Sequence, residues 1–177
     1  MKALIFDTEA TDLVTNTLLR ESHQPRIVEF AGKIVEDDGS ERGEFHFMCN
    51  PGVTIPDKVT EITGIANADV AEQPYFEHYA PEMADFFAQA DAVVAHNLSY
   101  DWFVVNHELD RVGQTMMWPN IRICTVEETE WFKGFRLNLS ALHEHLFGEA
   151  FSGAHRAKED VDALARCYLK LRETGDL

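Results

Sequence analysis

The chain has 177 residues, 45% hydrophobic and 26% charged, the ordinary make-up of a soluble globular protein with room for one real core. Its net charge of −16, from 15 basic and 31 acidic residues, excludes a broad basic grip on nucleic acid, though not an enzyme that touches a few phosphates through metal ions. No apolar run is long enough to span a bilayer, and the apolar stretch of the N-terminal MKALIFDTEA is too short for a secretory signal, so a cytoplasmic protein away from membranes is expected.

Lys2 to Asp7 reads as a buried strand. Arg26 to Glu36 (RIVEFAGKIVE) is rich in β-branched residues and bounded by Pro25 and the turn Asp37-Asp38-Gly39-Ser40. Arg42 to Met48 alternates Phe45 and Phe47 with polar residues and completes a hairpin with it. Pro56 to Gln73 is partly helical. Tyr75 to Gln89 has helical spacing of its apolar residues, Ala92 to Ala95 is a short buried strand, and a second helix covers about Ser99 to Val112. Arg122 to Thr125 makes a last strand. Helices over about Leu139–Phe147 and Arg156–Glu173 close the chain. Three antiparallel strands followed by alternating helices and strands predict an α/β sheet of mixed direction. Cys49, Cys124 and Cys167 have no metal-site or disulfide spacing and are expected as buried free thiols.

The acids are unevenly placed. Residues 36–44 carry five acids against Arg42, and residues 57–91 carry eight against Lys58, whereas 130–160 is nearly balanced; a polyanion would bind toward that end. Four acids stand out by position. Asp7 and Glu9, two apart on a strand, point to one face and repel unless a cation lies between them. Asp101 falls beside the apolar stripe Leu98, Trp102, Val105, Leu109 and Val112, and Asp160 beside the stripe Ala157, Val161, Leu164, Tyr168 and Leu171. One such acid is explained by a helix dipole or a surface turn. Four of them, each toward the core, ask for a shared cation, and oxygen-only ligands suit Mg²⁺ or Mn²⁺. His155, five before Asp160 in S-G-A-H-R-A-K-E-D, sits where Gly153 suggests a mobile loop, and can titrate near neutrality as a general base must. His23, His46, His78 and His107 lack an acidic setting of this kind. His96 is expected only to hold a turn, and His143 and His145 to be surface or satisfied core residues.

D-T-E (7–9), H-N-x-x-x-D (96–101) and H-x-x-x-x-D (155–160) together resemble the three motifs of the DEDD 3′–5′ exonuclease family, histidine subtype, which includes proofreading subunits of bacterial replicative polymerases. E-I-T-G-I (61–65) resembles the family's segment between the first two motifs, and the likeness runs from Ile5 to about Leu171. It implies a ribonuclease H-like fold, a single exonuclease domain over 1–177, and release of nucleoside 5′-monophosphates from a 3′ end. It also implies two Mg²⁺ ions, replaceable by Mn²⁺. Asp7 would bridge both, Glu9 and Asp160 would complete one site, and Asp101 would support the second. His155 would be the general base and must be neutral to act. Thr8 and Glu9 would hold the terminal 3′-hydroxyl, Leu13 would wedge against the last base, and Thr63 and Asn97 would line the pocket.

The family often has glycine where this chain has Asp12, which adds a negative charge near the substrate path. Phe103, Trp131, Phe132 and Phe135 could stack bases, and Lys133 and Arg136 could track phosphates; core packing and a solvated loop are the ordinary alternatives. The expected substrate is single-stranded or frayed DNA with a free 3′ end. The alternatives are the same chemistry on short RNA, or a non-catalytic binding module of the same fold. The chain ends soon after its last predicted helix, which favours a free-standing exonuclease or one that binds a partner through its body.

Overall fold

Ile27–Glu36 (β2) is buried on both faces along nearly its whole length, so it must lie inside a sheet rather than at its rim. A computed structural model describing residues 1–14 and 23–177 puts it there. Lys2–Ala10 (β1) pairs antiparallel with β2 on one side, and Glu41–Met48 (β3) on the other. Ala92–Ala95 (β4) runs parallel to β1, and Ile121–Cys124 (β5) parallel to β4, giving the order β3-β2-β1-β4-β5.

Helices follow: Asp57–Thr63 (α1), Asn67–Val70 (α2), Phe76–Phe87 (α3), Leu98–Arg111 (α4), Thr125–Glu128 (α5), Leu139–Phe147 (α6) and Ala157–Thr174 (α7). The stretch expected as partly helical over 56–73 is thus two short helices, parted at Gly64 with its φ of 73°. The strand period of two splits β1 between two cores. Leu4 and Phe6 face an aromatic-rich layer with Phe30, Phe87 and α4, and Ala3 and Ile5 face α6 and α7. All three cysteines are buried and free.

One expectation is corrected here. β1 does not end at Asp7; it continues to Ala10 because β2 stays alongside, with Asp7 opposite Ala31 and Glu9 opposite Glu29. The two acids therefore lie within a strand. On its other flank β1 pairs with β4 only from Ala3 to Ile5. Beyond that point β4 has turned away through Asn97, whose φ of 78° reverses the chain into α4. This leaves β1 open on the flank where α4 begins.

Candidate active site

The gap beside β1 is closed by an acid. Both the amide and the hydroxyl of Thr8 donate to Asp101 Oδ1, at 3.0 and 2.7 Å. Asp101 thus takes the hydrogen bond that a longer β4 would have supplied, and at 2% exposure it is inside the protein. Strand alternation turns Asp7 and Glu9 the other way, toward α7, which carries Asp160 in its first turn. Ligand atoms of Glu9, His155 and Asp160 all lie within 4.8 Å of one another.

Burial and mutual repulsion push these acids toward their neutral forms. Asp7 is held well above the usual carboxylate range, by burial first and then by the charges of Asp101, Glu9 and Asp160. Glu9 is pushed up to about 8 by burial and by Asp160, Glu29 and Asp101. Burial lifts Asp101 to about 7 against the opposing bonds from Thr8, and lifts Asp160 to about 6 against the amide of His155. Among the described residues nothing donates a hydrogen bond to the buried Oδ1 of Asp160. An orphaned buried oxygen within a cluster of repelling acids is the setting that an oxygen-seeking divalent cation satisfies.

The loop before α7 makes two defined contacts with that helix. His155 adopts a φ of 70°, its amide donating to Asp160 Oδ2 at 3.1 Å, while its side chain stays exposed. Gly153, with φ 84°, packs so close to Glu159 that a β-carbon there would come within 2.9 Å of Glu159 Cγ. His96 has the structural role expected of it. Its ring bonds Thr125 Oγ1 at 2.9 Å and the Leu137 carbonyl at 3.0 Å, and burial lowers it to about 4, so it is neutral.

The other expected contact residues divide. Thr8, Glu9, Leu13 and Thr63 line one cavity of about 290 Å³, together with Asp12 and Tyr100. Tyr100 donates its hydroxyl to the Asp12 carbonyl at 2.9 Å, tying α4 to the turn after β1. Leu13 stands 69% exposed at the rim. Asn97 and His155 lie outside that cavity's lining. Trp131 and Phe135 are well exposed, whereas Phe103 and Phe132 are half-buried. Arg136 is drawn to Glu127 and Glu130, each at 3.7 Å.

Two residues of the site's surroundings were missed. Glu29 is wholly buried, yet it accepts from Arg156 Nε at 3.0 Å, from a terminal nitrogen of Arg156 at 2.9 Å and from the Ala157 amide at 3.1 Å. His46 meets its Oε1 at 2.9 Å, an acidic contact that the sequence did not single out. Burial alone would raise Glu29; the bonds from His46, Arg156 and Ala157 more than offset this and hold it ionised, at about 2. The signal was available: an acid between Val28 and Phe30 in a strand buried on both faces must have a partner.

A mixed five-stranded sheet with helices on both faces, and acids gathered beyond the last β4 pairing, defines a ribonuclease H-like nuclease fold. The Exonuclease family model matches residues 4–168, and the chain belongs to that DnaQ-like 3′–5′ exonuclease family, whose members depend on divalent metal. It is 27% identical over 172 residues to DNA polymerase III subunit epsilon of Aquifex aeolicus, covering 96% of this chain and 80% of that protein. It is 28% identical over 180 residues to the PolC-type DNA polymerase III of Clostridium perfringens, where it covers 98% of this chain but spans 12% of the polymerase. Among solved structures, exonuclease X in complex with 5′ overhanging duplex DNA superposes with a TM-score of 0.69 at 24% identity, over 98% of this chain and 93% of that one. The nuclease domain of 3′hExo bound to rAMP superposes with a TM-score of 0.77 at 16% identity, over 98% and 92%. These two likenesses establish the fold. Among the described residues no helix is long and apolar enough to cross a membrane.

Proposed function

We propose that this enzyme removes nucleoside 5′-monophosphates one at a time from the 3′ end of single-stranded or frayed DNA, in the cytoplasm, within one exonuclease domain. The observation that carries the reading is the meeting of Glu9, His155 and Asp160 within 4.8 Å, with Asp7 and Asp101 adjoining them in the same repulsive cluster.

Asp7, Glu9, Asp101 and Asp160 would hold two Mg²⁺ ions, or Mn²⁺ in their place, which when bound supply positive charge to the attacking and leaving oxygens of an in-line displacement. The protein's own groups do the rest. Glu9 and the Thr8 backbone receive the terminal 3′-hydroxyl. Leu13 stacks on the last base from the cavity rim, and Thr63 closes the far wall. Asn97 fixes the turn that delivers Asp101. The exposed imidazole of His155 removes a proton from the attacking water. The water oxygen bonds to phosphorus, the bond to the preceding O3′ breaks, and that oxygen takes a proton from solvent water as it leaves.

The test uses 3′-labelled and 5′-labelled oligonucleotides, DNA and RNA, with Mg²⁺, Mn²⁺ or EDTA. Early loss of the 3′ label as mononucleotide is expected, abolished by EDTA and by Asp7→Ala. His155→Ala should slow turnover far more than it weakens metal binding; equal loss of both would remove the general-base role. Faster RNA than DNA cleavage would favour the short-RNA reading, for which the rAMP bound to 3′hExo is the supporting parallel. Intact oligonucleotide under every metal condition would favour a binding module.

A further inference from the structure

The strongest unexplained feature of the molecule is Glu29, a fully buried carboxylate with no place in the chemistry proposed above. It stands opposite Glu9 in the β1–β2 register. Its two oxygens grip Arg156 in a two-point bond, and one of them also takes the Ala157 amide at the start of α7. We propose that Glu29 is a positioning residue: through Arg156 and Ala157 it locks the beginning of α7 onto the strand pair that carries Glu9, and so sets where His155 stands relative to Glu9 and Asp160. This rests on the reading of His155 as general base.

Arg156 is the residue next to His155, so any rotation of its backbone moves the imidazole directly. His155 occupies the left-handed region at φ 70°, a conformation that a residue with a β-carbon keeps only when its surroundings over-determine it. The surroundings do so from both sides. The amide of His155 is bonded to Asp160 on one side, and Glu29 holds the next two residues on the other. His46, from β3, steadies the remaining edge of the Glu29 carboxylate. Stability alone is a poor reason for this arrangement, because an apolar residue at position 29 would fill the same space without the desolvation cost of a buried carboxylate. A planar guanidinium on a carboxylate fixes angle as well as distance, which a general base needs and a core does not.

The test uses the full chain with Glu29→Gln, Arg156→Gln, Arg156→Lys, His155→Ala and the double variant Glu29→Gln/His155→Ala. Glu29→Gln and Arg156→Gln should each lower kcat on a 3′-labelled oligonucleotide by about 10- to 100-fold, the scale of misplacing a catalytic group by about 1 Å, with KM nearly unchanged. Arg156→Lys should recover only part, since an ammonium cannot make two parallel bonds. In the His155→Ala background Glu29→Gln should add almost nothing, because its effect passes through His155. A kcat near wild type in Glu29→Gln, full activity in Arg156→Lys, or losses that add in full on the His155→Ala background would each overturn the proposal.

Should Glu29→Gln not fold, Arg156→Gln carries the same comparison from a residue whose side chain is 40% exposed. A readout independent of turnover is the ring nitrogen signal of His155 by NMR in metal-free protein. It should shift and broaden in Arg156→Gln, and an unchanged signal would count against the lock. A wild-type protein that releases no mononucleotide would end the nuclease reading alone, and the NMR comparison would still decide the role of Glu29.

Discussion

Stripping divalent metal should leave a protein that becomes less stable as pH rises from 5 to 7. Glu9 holds its proton to about pH 8 in the folded state, against an ordinary 4.5 when unfolded. Over this window the folded state therefore binds more protons than the unfolded chain, and the free energy of unfolding falls with pH. One such proton is worth about 1.4 kcal/mol per pH unit, so Glu9 alone removes about 3 kcal/mol between pH 5 and 7. Asp101 and Asp160, raised to about 7 and about 6, act with the same sign, but they share the same repulsions and their effects do not sum. Glu29 cannot mask the trend. It is depressed to about 2, so its stabilisation is complete above its unfolded 4.5 and lost only at lower pH. Against a typical domain stability of about 5–15 kcal/mol the loss is large. Urea unfolding followed by circular dichroism, in EDTA at pH 5, 6 and 7, measures it directly. The slope should flatten in saturating Mg²⁺ and become shallower in Glu9→Gln. A flat or rising stability in EDTA would refute the clustering of acids as its origin. An undiminished slope in Glu9→Gln would assign the effect to the overall charge of −16 instead.

Gly153→Ala forces a β-carbon to within 2.9 Å of Glu159 Cγ at a φ of 84°; about a tenfold loss of kcat and a melting temperature lower by about 2–4 °C are expected, from turnover assays and thermal scans. Phe87→Ala removes a fully buried ring that meets Phe6, Phe30 and Trp118, and should cost about 3–5 kcal/mol in urea unfolding. Tyr100→Phe deletes the bond to the Asp12 carbonyl; KM for a short oligonucleotide should rise severalfold while kcat holds, and a fall in kcat alone would show that Tyr100 acts on the reacting groups instead.

The sheet was legible because its cause is local. RIVEFAGKIVE is rich in β-branched residues and bounded by turn signals, and Arg42 to Met48 shows the alternation of a strand with one solvated side. Asp101 and Asp160 could be read because an acid beside an apolar helical stripe is conspicuous, and each lies in the first turn of its helix. What escaped was pairing across the sheet. The link from Glu29 to Arg156 spans 127 residues, and no period within either segment announces the other. The reach of β1 to Ala10 was missed for a related reason: Asp7 and Glu9 are poor strand formers by type, and their partners Ala31 and Glu29 on β2 hold them extended. The positive φ of His155 is likewise imposed from outside its own segment.

Asp7 belongs to the first strand and Asp160 to the last helix, with almost the entire chain between them. Under the proposed function, a ribosome-bound copy therefore cannot assemble its metal-holding acids until α7 has emerged and docked. On that same proposal, a chain cut short before the helix lacks Asp160 and is expected to be inert, so synthesis order itself would work as a safety catch.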